Sequence, residues 1–248
     1  MNARELEGRA ALVTGASRNI GRAIAEALGA GGAGVLVHAN RDRDGAEETA
    51  RLVEAAGGRA AVALGDLADP AVPALIVESA VLAFGRLDIV VANAAIRPEG
   101  TIDSLTYEDW RGVMAVCLDS VFLLAKAALT PLRCSDQAAI VTIGGLTGHS
   151  GARDRVHVIT AKAGLTGLTK ALAHDLGPDA ITVNCVAPGL IETRRTGEEP
   201  KHHASRTNVL GRRGTPQDVA AMVRTLCGPT TRYVTGQTVH VNGGALMV

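Results

Sequence analysis

The segment Thr14-Gly15-Ala16-Ser17-Arg18-Asn19-Ile20-Gly21 combines glycine, small and polar residues in a pattern that can cradle a phosphate. It directly follows the apolar run Ala10–Val13 and opens a run with helical apolar spacing, Ile20–Leu28. A glycine-rich turn between a first strand and a first helix lets the backbone approach a pyrophosphate. The helix N-terminus then supplies N–H donors and the positive end of its dipole. The four cysteines, Cys117, Cys134, Cys185 and Cys227, form no CxxC pair and no Cys/His ligand spacing, so neither a metal site nor a disulfide framework is expected.

The elements that must position this turn alternate along the whole chain. Short apolar runs at Ala10–Val13, Val35–His38, Ala60–Leu64, Ile89–Ala92, Ala139–Ile143, Thr182–Ala187 and Thr238–Val241 predict strands. Helical spacing fills Ile20–Leu28, Ala46–Ala55, Val72–Phe84, Tyr107–Leu129, Val158–Leu176 and Pro216–Leu226. Asp69-Pro70 and Thr215-Pro216 read as caps followed by a first-turn proline, and Thr106 with Asp109 as a capping box. Gly57-Gly58, Gly85 and Gly177 mark expected left-handed helix ends. Such alternation implies right-handed βαβ crossovers. The expected fold is an α/β doubly wound parallel sheet of about seven strands, Rossmann-type, with helices on both faces. No linker interrupts it, so residues 1–248 read as a single domain.

Composition narrows the function. The 248 residues carry a formal net charge of zero, and aromatics are only 2%. A nucleic-acid partner needs a basic field or stacking platforms, so none is expected. The apolar stretches fall short of the roughly 18 residues of a spanning helix, and MNARELEGRA does not read as a leader. The expectation is a cytoplasmic protein with reduced thiols, no membrane partner and a small-molecule substrate.

Several motifs in order resemble those of the short-chain dehydrogenase/reductase family, over almost the whole chain. Residues Thr14 to Gly21 are similar to its TGxxxGxG, with Asn19 at the middle glycine; Asn tolerates left-handed backbone best after Gly. Gly65-Asp66-Leu67 resembles the adenine-contacting segment and Asn93-Ala94-Ala95 the NAG motif. Asn184, Pro188-Gly189 and Thr193 resemble the stretch beside the nicotinamide, and Val241-Asn242-Gly243-Gly244 the C-terminal V-D/N-G-G. The resemblance implies an oxidoreductase that holds a nicotinamide dinucleotide with Gly15, Ser17, Arg18, Asn19, Ile20, Gly21, Asn40, Arg41, Asp66, Leu67, Asn93, Ala94, Lys162, Pro188, Gly189, Ile191 and Thr193. An acid at the end of the second strand would bind the ribose 2′-hydroxyl of NAD and repel a 2′-phosphate. That strand ends His38-Ala39-Asn40-Arg41, and Arg41 and Arg18 suit a 2′-phosphate. NADP(H) is therefore the preferred cofactor and NAD(H) the alternative, with Asp42 and Asp44 close by.

The same resemblance exposes a departure. The family works with Asn, Ser, Tyr and Lys. The run AKAGLTGLTKALA identifies Lys162 as the lysine, which places Val158 at the tyrosine, Gly145 at the serine and Cys117 at the asparagine. Lys162 can serve the cofactor ribose or act as acid and base. Replacement proton donors are His157 and His149, since a neutral imidazole works near pH 7. One helical step rotates a side chain by about 100°, so His157 does not simply inherit the place of its neighbour at 158. Cys117 is a nucleophile candidate or inert packing. Three functions follow: hydride transfer between a carbonyl and an alcohol without the usual phenol, a non-redox enzyme on this scaffold, or a catalytically silent nucleotide-binding protein.

The stretch Leu190–Gly214 reads as a substrate lid. Arg194, Arg195, Lys201, Arg206, Arg212 and Arg213, with His202 and His203, outweigh Glu192, Glu198 and Glu199, which suits either an anionic substrate or a solvated loop with no preference. Arg153, Asp154 and Arg155 add polar character near the expected cleft or at a subunit contact. The resemblance implies a homotetramer, or a homodimer, built through the helices at Tyr107–Leu129 and Val158–Leu176.

Overall fold

The computed structural model describes residues 4–193 and 207–248. Seven strands form one sheet: β1 (Ala10–Val13), β2 (Gly34–Ala39), β3 (Arg59–Leu64), β4 (Ile89–Ala92), β5 (Ala139–Ile143), β6 (Thr182–Pro188) and β7 (Thr238–Val241). Their spatial order is β3-β2-β1-β4-β5-β6-β7, and every pairing is parallel. The strands are near-continuous apolar runs because helices cover both faces. Alternation still sorts them. Ala11 and Val13 join the core beneath α1 (Asn19–Ala30), α2 (Arg43–Ala55) and α8 (Pro216–Cys227). Leu12, Leu36 and Val90 join the core beneath α3 (Val72–Phe84), α5 (Ser120–Arg133) and α7 (Val156–Leu176).

Four expectations need correcting. The helix expected over Tyr107–Leu129 is α4 (Tyr107–Met114), a five-residue π-helical segment Ala115–Asp119, and then α5. Its combined run, 107–133, is long and apolar enough by composition to cross a membrane, but Val121, Leu124, Ala128 and Leu132 are buried within the protein. Pro70 does not open α3; Asp69 instead accepts a bond from the Ala71 amide in a preceding turn, and Pro73 sits in the first helical turn. Gly177 is right-handed and continues into a short 3₁₀ turn, leaving Ala180 in the left-handed position. The capping box at Thr106/Asp109, the Thr215 cap with Pro216 in the first turn and the left-handed Gly85 form as the sequence indicates, and Asp218 completes a second capping box at Thr215.

The chain runs outward from β1 to β3, then returns to place β4 on the other side of β1. At this switch point the crossovers on either side diverge and open a crevice at the carboxyl ends of the strands.

Candidate active site

A cleft of about 1070 Å³ occupies that crevice. Every residue expected at the dinucleotide lines it, from Gly15 and Asn19 through Asp66 and Asn93 to Gly189, Ile191 and Thr193. Among them, Asn19 takes the left-handed conformation at φ 52°, the backbone state for which asparagine is suited. The turn leaves no room for side chains. A Cβ on Gly15 would lie 2.8 Å from Ala94 Cα, and one on Gly21 would lie 2.3 Å from the Gly15 carbonyl.

Hydrogen bonds lock this turn to β4. Thr14 Oγ1 accepts from the amides of Asn93 (3.0 Å) and Ala94 (3.1 Å). Asn93 Nδ2 donates to the carbonyls of Thr14 and Gly15, both at 2.9 Å. Two residues that the sequence reading gave no role complete the frame. Arg22 donates to the Ser17 carbonyl at 2.6 Å, the Gly45 carbonyl at 3.2 Å and Thr49 Oγ1 at 3.0 Å. His38 accepts from the Gly15 amide through Nδ1 (3.4 Å) and donates through Nε2 to the Gly65 carbonyl (3.0 Å). This pairing fixes the neutral Nε2–H tautomer, and burial holds the imidazole pKa below its ordinary value. The signal was a histidine inside an otherwise apolar buried strand, GVLVHA.

Arg18 and Arg41 line the cleft with Asn40, and both are exposed. Asp42 lies beside them, but its carboxylate caps α2 by accepting from the Gly45 amide. Asn184 is placed differently from the rest of its motif. It does not line the cleft; its amide bonds the Val234 carbonyl and the Gln237 amide, fastening β6 to the loop that leads into β7.

At the other end, Gly144, Gly145, Val158 and Lys162 come together. Val158 is buried with Val113, Met114, Cys117 and Ala161. A Cβ on Gly145 would meet nothing within 4 Å. The chain has two tyrosines, Tyr107 and Tyr233. Both are exposed, and neither lines the cleft. Lys162 is 7% exposed and donates to the Ile143 carbonyl at 2.5 Å. Burial pushes its pKa down, and the nearby Arg97 charge adds to that effect.

The other candidate groups stand apart from the cleft. His157 is fully buried with neither ring nitrogen hydrogen-bonded among the described residues, and burial lowers its pKa. His149 is exposed and packs edge-on against His240 at 4.7 Å. Neither is among the described residues lining the cleft. Cys117 lies in the π-helical segment, buried, with its thiol 3.4 Å from the Ile96 carbonyl. Arg194, Arg195, Lys201, His202, His203 and Arg206 lie outside the described residues. Arg212 pairs with Asp218 at 2.8 Å beside a separate, smaller cavity.

The residues present fit a dinucleotide. The Gly15/Gly21 turn is a cradle that a Cβ would fill, and the buried Thr193 hydroxyl has no hydrogen-bond partner among the described residues. Fold and cleft together define a Rossmann-type dinucleotide-binding protein. Residues 15–245 match the family model described as enoyl-(acyl carrier protein) reductase. The 3-oxoacyl-[acyl-carrier-protein] reductase FabG of Escherichia coli K12 is 38% identical over 245 residues, covering 98% of this chain and 99% of that protein. A short-chain dehydrogenase from Burkholderia cenocepacia, solved with NADP, superposes with a TM-score of 0.91 at 36% identity, covering 97% of this chain and 99% of that one. A dehydrogenase/reductase from Sinorhizobium meliloti gives 0.93 at 36% identity, covering 99% and 98%. The chain belongs to the short-chain dehydrogenase/reductase family.

Proposed function

We propose that this protein is an NADP(H)-dependent carbonyl reductase or alcohol dehydrogenase that moves its proton without a tyrosine. The observation that carries this reading is a cleft with a complete glycine cradle and a buried lysine but no phenol. When bound, the reduced cofactor supplies hydride to a carbonyl carbon. Arg18 and Arg41 hold the 2′-phosphate, and Asn40 and Asp66 flank the adenosine. The NADP bound by the Burkholderia relative supports the same choice.

Lys162 is the group that can deliver the proton to the carbonyl oxygen. Its ammonium is buried in the cleft, and desolvation brings its pKa down from the ordinary lysine value toward the range where proton transfer is efficient. Cys117 serves as packing in this reading. A second reading, a silent nucleotide-binding protein, is favoured by the bond from Lys162 to the Ile143 carbonyl, which a purely structural lysine would also make. Exposed Tyr107, Phe122 and Val156 on α4, α5 and α7 support assembly of copies through these helices.

The test has two stages. NADPH and NADH are titrated by fluorescence, and then NADPH consumption is followed with a panel of ketones. The proposal expects tighter NADPH binding and turnover that Lys162→Met reduces by about 10²-fold or more, the scale of positioned proton transfer. Binding without turnover of any ketone supports the silent reading instead.

A further inference from the structure

The two arginines assigned to the 2′-phosphate come from separate segments. Arg18 ends the phosphate turn as the cap of α1, and Arg41 lies between β2 and α2. One side chain ties these segments together. Arg22, in the first turn of α1, donates through Nη2 to the Ser17 carbonyl (2.6 Å) and the Gly45 carbonyl (3.2 Å). Its Nε donates to Thr49 Oγ1 at 3.0 Å. Thr49 is fully buried, and its hydroxyl lies 2.9 Å from both the Ala16 and Gly45 carbonyls, so its single proton serves one or the other. Neither Arg22 nor Thr49 lines the cleft, so any part they play is through their neighbours.

Both ends of this link are short and stiff. Ser17 immediately precedes Arg18. On the other side, the Arg43 amide donates to the Arg41 carbonyl at 3.0 Å, and the Asp42 carboxylate accepts from the Gly45 amide at 3.1 Å. Holding the Gly45 carbonyl therefore holds the backbone of Arg41. The anchors from Asn93 and His38 reach Thr14, Gly15 and Ala16; Arg22 acts one residue further on, beside Arg18. An arginine on a helix surface commonly pairs with an acid one turn away. Glu26 stands at that spacing, but the bonds of Arg22 run across to α2 instead.

We infer that Arg22, backed by Thr49, is a positioning residue that sets selectivity for NADPH over NADH by fixing the spacing between Arg18 and Arg41. This inference rests on the NADP(H) reading and deepens it. A phosphate met by two guanidinium forks needs both at set positions. A 2′-hydroxyl asks nothing of either arginine. Loosening the link therefore acts on the phosphorylated cofactor and spares the other, whose pyrophosphate still meets a turn anchored by Asn93 and His38.

The test measures binding to the full chain by calorimetry with two pairs of ligands, NADPH with NADH and adenosine 2′,5′-bisphosphate with 5′-AMP. Each pair differs only in the 2′-phosphate, and neither needs turnover. The parent should bind the phosphorylated member of each pair more tightly. Arg22→Met should weaken that member about tenfold, the scale of one charge-assisted hydrogen bond, and leave the other within about twofold. Arg22→Lys keeps the charge but loses the fork, so it should recover only part of the preference. Thr49→Val keeps the shape and removes the hydroxyl; it should shift the ratio the same way, and it carries the test if Arg22→Met does not fold. A ratio unchanged in Arg22→Met, including equal loss of both members, overturns the inference and leaves Arg22 a structural support of the turn. Full preference in Arg22→Lys also overturns it, because charge alone then suffices. Equal binding of both members by the parent overturns the 2′-phosphate reading itself, and the inference falls with it.

Discussion

The two ends of one cleft are built on different principles. At the phosphate end, backbone and side chains bond to one another: Thr14, Arg22, His38 and Asn93 fix the glycine turn from several sides. At the Lys162 end there is one buried lysine and open space where a Gly145 Cβ would lie. The first end is tightly constrained, and a single atom added there collides with backbone. The second leaves room for added atoms.

The largest expected effect comes from making the same substitution at both ends. Gly21→Ala places a methyl 2.3 Å from the Gly15 carbonyl and 2.6 Å from Asn93 Nδ2. It should cost roughly 1–3 kcal/mol of stability, as overpacking does, and abolish measurable NADPH binding. Gly145→Ala enters open space and should leave both unchanged within error. Thermal melts and fluorescence titration of the two variants decide whether the contrast is real.

Charge at the adenosine end gives the next effect. Arg41→Ala should weaken NADPH by roughly 1.5–3 kcal/mol, the range for a hydrogen bond to a charged group, and leave NADH nearly untouched. Parallel loss of both cofactors would place Arg41 outside the 2′-phosphate site.

The two buried histidines sharpen the comparison through pH. His38 is hydrogen-bonded on both nitrogens and His157 on neither among the described residues, yet burial lowers both pKa values. Below the ordinary histidine value of about 6.5, the unfolded chain takes up protons that the folded chain resists, so stability falls as pH falls. His157→Leu should flatten that decline between pH 7.5 and 5.5 without altering NADPH affinity. His38→Leu should also flatten it but weaken the cofactor, because the Gly15 amide loses its acceptor. Urea midpoints and titrations at the two pH values separate these outcomes.

The smallest effect lies outside the cleft. Ala180 is left-handed at φ 57°, a state that costs a residue with a Cβ roughly 1–2 kcal/mol. Ala180→Gly should stabilise the fold by less than that range, seen as a small rise in melting temperature, because glycine loses more entropy on folding.

Much of this architecture was legible in the sequence because its signals are local. Ala10–Val13, Ile89–Ala92 and Ala139–Ile143 are apolar runs bounded by polar turns, and the structure places strands at those bounds. The turn at Thr14–Gly21 announced itself by glycines and by an asparagine suited to positive φ. What the sequence hid is what depends on distant partners. The π-helical segment at Ala115–Asp119 keeps an ordinary helical apolar spacing. The charged residues beside Lys162 come from two distant stretches, 97 and 99 on one loop and 155 at the start of the helix that carries Lys162. The isolation of His157 follows from the rotation of one helical step, which turns it away from the face that Val158 and Lys162 share.

The central claim is that the phosphate end is complete while proton delivery runs without a phenol. It is tested most directly by comparing the parent with the Gly145→Ser/Val158→Tyr double variant on one neutral ketone, at saturating NADPH. The account predicts slow parent turnover, dependent on Lys162. The double variant should gain about 10²-fold or more in kcat with NADPH affinity unchanged, since a positioned proton donor contributes on that scale. Rapid parent turnover of the neutral ketone, undiminished in Lys162→Met, would contradict it.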